Sequence, residues 1–260
     1  MKLGVYGDSF GTSKNPAIKT AWYNLLGEML GATVETHAVG GSSVYYSYKR
    51  FLATHERYDV IVFMVSDPIR YTRDISEDFP DLFLKTAPLD NFRKMLPIPN
   101  QGMVSVIREK LIKDGTMTKT QEKILDDLNG WFNSVDIEYN TDMVELMLSN
   151  IETIHSDVIF YPGFKFSMAN DRMLKTGIDN RYNMLSLVDE QAHKLKIKNF
   201  NLLQYSMKEN EKTMSAHLGP EYNATLANLF YSKITVGKWD WSDFDNIVIT
   251  NPTDFYYLNQ

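Results

Sequence analysis

The segment Tyr58 to Val65, YDVIVFMV, limits most strongly what this chain can fold into, because its last six residues are all apolar. A strand with one wet face alternates apolar and polar residues. A strand without alternation is buried on both faces, which is the situation in parallel sheets covered by helices on each side. The run is far shorter than the roughly 20 apolar residues of a membrane-spanning helix, and no other apolar run approaches that length. It therefore reads as the central strand of a covered sheet.

The rest of the chain supplies the partners such a strand needs. Lys2 to Tyr6, Ala32 to Val39, Asp157 to Tyr161 and Phe200 to Gln204 are short β-type segments. Between them, apolar residues follow helical spacing: Trp22, Leu25, Leu26, Met29 and Leu30; a short helix over Val44 to Thr54; Val144, Met147, Leu148, Ile151 and Ile154; a helix from about Asn180; and Tyr222, Leu226, Leu229, Phe230 and Ile234. Alternating strands and helices predict a three-layer α/β/α domain with about five parallel strands and right-handed connections. A chain of 260 residues suits a single domain, residues 1–260, with an insertion. The insertion falls at about 71–150, between the third and fourth strands. Ile69 to Pro99 shows no clean period and reads as irregular. A helix follows, opened by Thr118 and Gln121 at capping-box spacing and lined by Ile124, Leu128, Trp131 and Phe132. We expect a mainly helical insertion that overhangs the sheet edge as a cap or forms a partner surface, with the Pro-rich stretch 79–99 as its mobile part.

Composition removes several classes of function. Without cysteine, thiolate nucleophiles and sulfur-ligated zinc are excluded, so covalent chemistry must use hydroxyl, carboxylate, amine or imidazole. No cofactor and no metal are expected. A net charge of −6 with no basic cluster longer than Lys49-Arg50 opposes a nucleic-acid partner. The N-terminus reads as a strand rather than a signal peptide. No membrane association is expected, and a cytoplasmic or virion-associated location is the expectation.

Three polar or glycine-containing breaks, at residues 7–9, 40–43 and 66–68, all fall at carboxyl ends of predicted strands. Open parallel sheets bind ligands there, so these breaks should converge. Ser9, between a strand and a helix, is placed to present its hydroxyl at the sheet edge while its backbone N–H faces a developing oxyanion. A serine needs a base, and His217 is the best of the five histidines: it lies in a polar loop just before the last helix, whereas His37 and His193 fall within predicted elements and His55 and His155 flank strands.

With these residues in place, the chain resembles the GDSL, or SGNH, hydrolases, esterases and lipases with a flavodoxin-like sheet. Gly7-Asp8-Ser9-Phe10 resembles their first block, with Trp22 and Leu25-Leu26 similar to the helix after it. Val39-Gly40-Gly41-Ser42-Ser43 resembles the second, and Leu218, Gly219 and Pro220 follow His217 as in the fifth. The overall look is similar to phage-encoded members. The resemblance implies Ser9 as nucleophile, His217 as base and then acid, and the N–H groups of Ser9 and Gly41 as oxyanion donors, with Asp8 and Asp67 in support. Two positions depart from the pattern. The third block, Gly-x-Asn-Asp, is Met64-Val65-Ser66-Asp67 here, which leaves Ser66 with an O–H in place of a side-chain amide; loss of one such donor costs about 10² to 10³ in turnover. The aspartate expected three residues before the histidine is Met214, so Glu211, Glu209 or a backbone carbonyl must orient the imidazole if anything does.

The implied substrate is a small-molecule or carbohydrate ester with a small acyl group, O-acetyl included, because no apolar acyl channel is visible in the sequence. An acyltransferase using the same serine, or a binding protein that keeps the fold with a weakened site, remains open. Plainer roles compete at several positions. Gly40-Gly41 make a tight turn, Asp67-Pro68 cap or turn the chain, Arg70 forms a salt bridge to a nearby aspartate rather than binding an anionic substrate, and Tyr45, Tyr46 and Tyr48 pack rather than stack on sugars.

Overall fold

Alternate residues of the central strand enter two different cores, which is why its sequence shows no polar face. The computed structural model describes residues 1–8, 10–11, 21–74, 79, 95–98, 101–163, 187, 190, 218 and 220–248. Within them a parallel sheet forms from β1 (Lys2–Tyr6), β2 (Thr33–Thr36), β3 (Val60–Val65) and β6 (Val158–Pro162), in the order β2-β1-β3-β6. Val62 and Met64 of β3 join Leu3 and Val5 on one face, against helices α1 (Trp22–Leu30) and α6 (Pro220–Val236), through Trp22, Leu26, Leu226 and Phe230. Ile61, Phe63 and Val65 join Tyr6 and Phe160 on the other, against α2 (Val44–Thr54) and α5 (Ile137–Ile154), through Val44, Phe51, Val144, Leu148 and Ile151. The fold is thus α/β with helices on both faces of a parallel sheet, in the flavodoxin-like strand order. The fifth expected strand, Phe200 to Gln204, lies outside the described residues; of the helix expected from about Asn180, Leu187 and Glu190 are described and are helical, and Leu187 is buried in the core beside α1 and α6.

This order has a reversal built into it. From β1 the chain steps outward to β2 by way of α1, then recrosses to β3 on the opposite face by way of α2, and from β3 it continues the other way to β6. The loops after β1 and β3 therefore leave the sheet side by side in opposite directions, opening a crevice between them. Ladder-like bonds prolong the pairing of β1 with the β2 side into this region: His37 N–H donates to the Val5 carbonyl at 2.7 Å and Val39 N–H to the Gly7 carbonyl at 3.1 Å.

The stretch Ile69 to Pro99 is not wholly irregular, contrary to the expectation from its lack of period. Tyr71–Asp74 (β4) pairs antiparallel with Met95–Ile98 (β5), Tyr71 opposite Ile98 and Asp74 opposite Met95. Strands of four residues are too short to show alternation, and Pro97 within β5 works against reading one. Helix α3 (Gln101–Lys113), which the sequence pattern does not announce, packs on α4 (Lys119–Ser134). Phe79, Val104, Ile107, Leu111, Ile124, Leu125 and Leu128 form a third apolar cluster there. The capping box expected at Thr118 is present: its hydroxyl accepts from Gln121 N–H while the Gln121 side chain accepts from Thr118 N–H. Helix α5, by contrast, packs into the sheet core itself.

A buried polar group sits beside β1 on the α2 side. His37, 6% exposed, stacks on Tyr6 and hydrogen-bonds the Tyr58 hydroxyl through Nε2, with Arg50 Nη2 3.4 Å from its Nδ1. Burial above all, and then the Arg50 charge, lower its pKa from 6.5 to about 4. The unfolded chain therefore takes up a proton at a pH where the folded one does not. The His37 contribution is intact above about pH 6.5 and is lost as the pH falls toward 4, by roughly 3 kcal/mol. Urea unfolding of the wild type and His37→Gln between pH 7 and pH 4 should show the difference between the two narrowing or reversing as the pH falls. A constant difference would mean that His37 does not titrate in this window.

Gly7, at the end of β1, has φ +136°, and a Cβ there would lie 2.4 Å from Met64 Cβ and 2.8 Å from the Met64 carbonyl oxygen. No flexible side-chain end is available to move aside. Gly7→Ala is expected to destabilise the fold by about 3 kcal/mol or more, through backbone strain and overpacking together, as measured by urea denaturation.

Candidate active site at the sheet crossover

Asp8 follows directly on Gly7 and is fully buried. Its Oδ1 accepts the Phe10 N–H at 3.0 Å and its carbonyl accepts the Gly11 N–H at 3.1 Å. The other carboxylate oxygen, Oδ2, receives Arg70 Nη1 at 2.6 Å. That arginine is delivered by a turn after β3. Arg70 N–H donates to the Asp67 carbonyl at 3.1 Å and Ile69 N–H to Asp67 Oδ1 at 3.0 Å, so Asp67-Pro68 build the turn that presents it. The ion pair joins the loops after β1 and β3 across the crevice. An aspartate salt bridge is expected of Arg70, but its partner is Asp8, 62 positions away, and not one of the aspartates that surround it in the sequence.

The loop after β2 is fastened to the same place. Ser42 Oγ donates to the Gly7 carbonyl at 2.9 Å, and the Ser42 carbonyl lies 3.5 Å from Arg70 Nη1. Gly41 adopts φ +77°, which a residue with a side chain rarely tolerates, and this allows Ser42 N–H to close a turn onto the Val39 carbonyl at 3.0 Å. Ser43 then caps α2, its hydroxyl accepting from Tyr46 N–H. Gly163, after β6, donates its N–H to the Val65 carbonyl at 2.9 Å, and a Cβ there would stand 3.9 Å from Asp8 Oδ2. The connections after all four strands thus meet around the Asp8–Arg70 pair.

The electrostatics are those of one cation between two acids. Burial pushes the Asp67 carboxyl up from its ordinary range and the neighbouring Asp8 charge adds to this, while the Ile69 N–H and Arg70 hold it back. Ser66 is fully buried and its hydroxyl oxygen has no hydrogen-bond partner among the described residues. Of the residues singled out in the sequence, Asp8, Gly41, Ser66, Asp67 and Arg70 are therefore gathered at the carboxyl ends of β1 to β3. Ser9, His217 and Glu211 lie outside the described residues. The tyrosines of α2 do not share a face: Tyr45 is exposed, Tyr46 is buried, and the Tyr48 hydroxyl meets Asn150.

The chain neighbours of Ser9 and His217 are linked by a route that the sequence does not reveal. Trp22 Nε1–H donates to the Phe10 carbonyl at 2.8 Å, Trp22 N–H donates to Asn223 Oδ1 at 3.0 Å, and Asn223 Nδ2–H donates to the Leu218 carbonyl at 2.7 Å. Phe10, Trp22 and Leu218 also share one apolar cluster. Helix α1 thereby fastens the residue after Ser9, and through Asn223 of α6 the residue after His217.

Three solved structures are similar to this chain. A G-D-S-L family protein from Desulfitobacterium hafniense DCB-2 shares 12% identity, with a TM-score of 0.38, over 90% of this chain and 98% of that one. The acetyl xylan esterase AlAXEase shares 14%, with a TM-score of 0.33, over 90% and 100%. A carbohydrate acetylesterase family member from Sinorhizobium meliloti shares 15%, with a TM-score of 0.35, over 91% and 99%. No protein-family model and no curated protein matches the chain. Among the described residues, no helix is long and apolar enough to cross a membrane.

Asn223 is the testable joint of the linkage between α1 and α6. Asn223→Ala should lower the unfolding free energy by about 1–2 kcal/mol, because it strips partners from one donor and one acceptor. Asn223→Asp, which keeps the acceptor for Trp22 N–H but sets a carboxylate oxygen against the Leu218 carbonyl in place of the donor, should lose at least as much, as read from urea midpoints at unchanged slope.

Proposed function

We propose that this chain is a serine esterase acting on small acyl esters, O-acetyl groups on carbohydrate included. The observation that carries the reading is the fastening of three strand-end loops around Asp8, next to Ser9 in the chain, at the point where the strand order reverses. A Gly-Asp-Ser sequence at the end of that strand supports a serine hydroxyl as the nucleophile.

In this mechanism the Ser9 hydroxyl attacks the ester carbonyl carbon and passes its proton to His217. The carbonyl π pair moves onto oxygen, where the N–H groups of Ser9 and Gly41 receive it. Collapse of this intermediate expels the alcohol, which takes the proton from His217, and water then releases the acyl group by the same steps. Met214 in place of an aspartate leaves the imidazole to Glu211, Glu209 or a backbone carbonyl for its orientation. Slow turnover is the expected consequence.

A fluorophosphonate probe should add one covalent adduct to the wild type, located on Ser9 by mass spectrometry, and none to Ser9→Ala. The same substitution should reduce hydrolysis of p-nitrophenyl acetate to background. A wild-type protein that neither labels nor turns over the acetate ester would make the chain a binding protein on this fold and end the esterase reading.

A further inference from the structure

The described residues of the site hold a cation that the Ser-His scheme does not use. Arg70 is 11% exposed at its side chain, whereas the carboxylate that anchors it is fully buried. Its Nη1 touches Asp8, the residue before Ser9, and lies 3.5 Å from the carbonyl of Ser42, the residue after Gly41. Ser9 and Gly41 are the two residues whose N–H groups the esterase reading assigns to the oxyanion. The arginine thus bridges the chain neighbours of both donors. Ser66, the position with an O–H to offer in place of an amide, is by contrast fully buried, and its oxygen has no hydrogen-bond partner among the described residues.

We infer that Arg70 is a catalytic residue of this site, supplying the side-chain hydrogen bond to the oxyanion that Ser66 is too deeply buried to give. The inference rests on the esterase reading. A buried Asp8 carboxylate one residue from the nucleophile would by itself oppose the negative charge that develops on the substrate oxygen. A guanidinium on that carboxylate cancels the opposition, and its rigid planar fork aims N–H groups in directions fixed by the ion pair. Donors held in place before the reaction contribute most to catalysis, since they need no reorganisation when the charge appears. Arg70 transfers no proton. As Ser9 oxygen bonds to the carbonyl carbon, the π pair becomes the oxyanion lone pair facing the guanidinium, and it returns to the C–O bond when the alcohol leaves.

The experiment separates a direct role from mere neutralisation of Asp8. Arg70→Met, Arg70→Lys and the double variant Asp8→Asn/Arg70→Met are compared with wild type on p-nitrophenyl acetate, with folding checked by thermal melting and Ser9 reactivity by fluorophosphonate labelling. Arg70→Met is expected to lower kcat about 10²-fold with little change in KM, Arg70→Lys to recover part of it, and the double variant to remain as slow as Arg70→Met. Recovery of wild-type kcat in the double variant would overturn the inference, because the arginine would then serve only as a counter-charge. So would an undiminished kcat in Arg70→Met. If Arg70→Met fails to fold for want of a partner for Asp8, the double variant, which buries no unpaired charge, decides by the same criterion. A wild type that hydrolyses and labels while the Arg70 variants match it removes this inference alone. A wild type that does neither removes the esterase reading and this inference with it.

Discussion

Everything at the carboxyl edge of the sheet depends on how closely two backbones approach at Gly7. The strand β1 ends against Met64 of β3 at a distance that leaves no room for a Cβ, and φ +136° turns the chain away before Asp8. The carbonyl of Gly7 can then take two donors from the neighbouring loop, Val39 N–H and Ser42 Oγ–H. With that carbonyl satisfied from one side, Asp8 is directed toward the other, where Arg70 meets it. A side chain at position 7 would separate β1 from β3 and misplace both connections together.

The ion pair is a buried one, and its energetic meaning follows from that. Taking a carboxylate and a guanidinium out of water costs several kcal/mol per ion, so such a pair adds little net stability; the penalty for removing one partner is large. Its value here lies in register. Asp8 is also held by Phe10 N–H, and Arg70 by a turn whose own aspartate, Asp67, is raised in pKa by burial and by the Asp8 charge. The arrangement keeps two acids and one base in fixed relation at the crevice, where a surface pair would wander.

How much of this the sequence discloses depends on the distance over which each signal acts. The six apolar residues of β3 reveal a doubly covered strand because both faces are encoded in consecutive letters. The Thr118 capping box is legible for the same reason, since cap and partner are three residues apart. The three strand-end breaks are visible as glycine and polar punctuation, and the parallel topology then brings them together. The choice of Asp8 as Arg70's partner is not legible: several aspartates surround Arg70 in sequence, and the one chosen lies 62 residues away. Strands β4 and β5 escape notice because four residues give no periodicity. Ser66 reads as an available donor, and only the packing around it makes it a sealed one.

The linkage of Phe10 to Trp22, Asn223 and Leu218 spans 201 residues in its longest step. Loop closure over such a separation is slow and brings no reward until the far partner arrives. A chain emerging from the ribosome could pair β1 with β2 and β3 and fold its first three strands early, yet the surface of α1 that receives α6 would stay bare until residue 223 had been made. Trp22 and Leu26 would stand exposed on the growing chain for most of its synthesis, which makes that face the place where a chaperone would bind and where premature aggregation would begin. The same delay keeps Phe10 and Leu218 from being fastened together until most of the chain has been made.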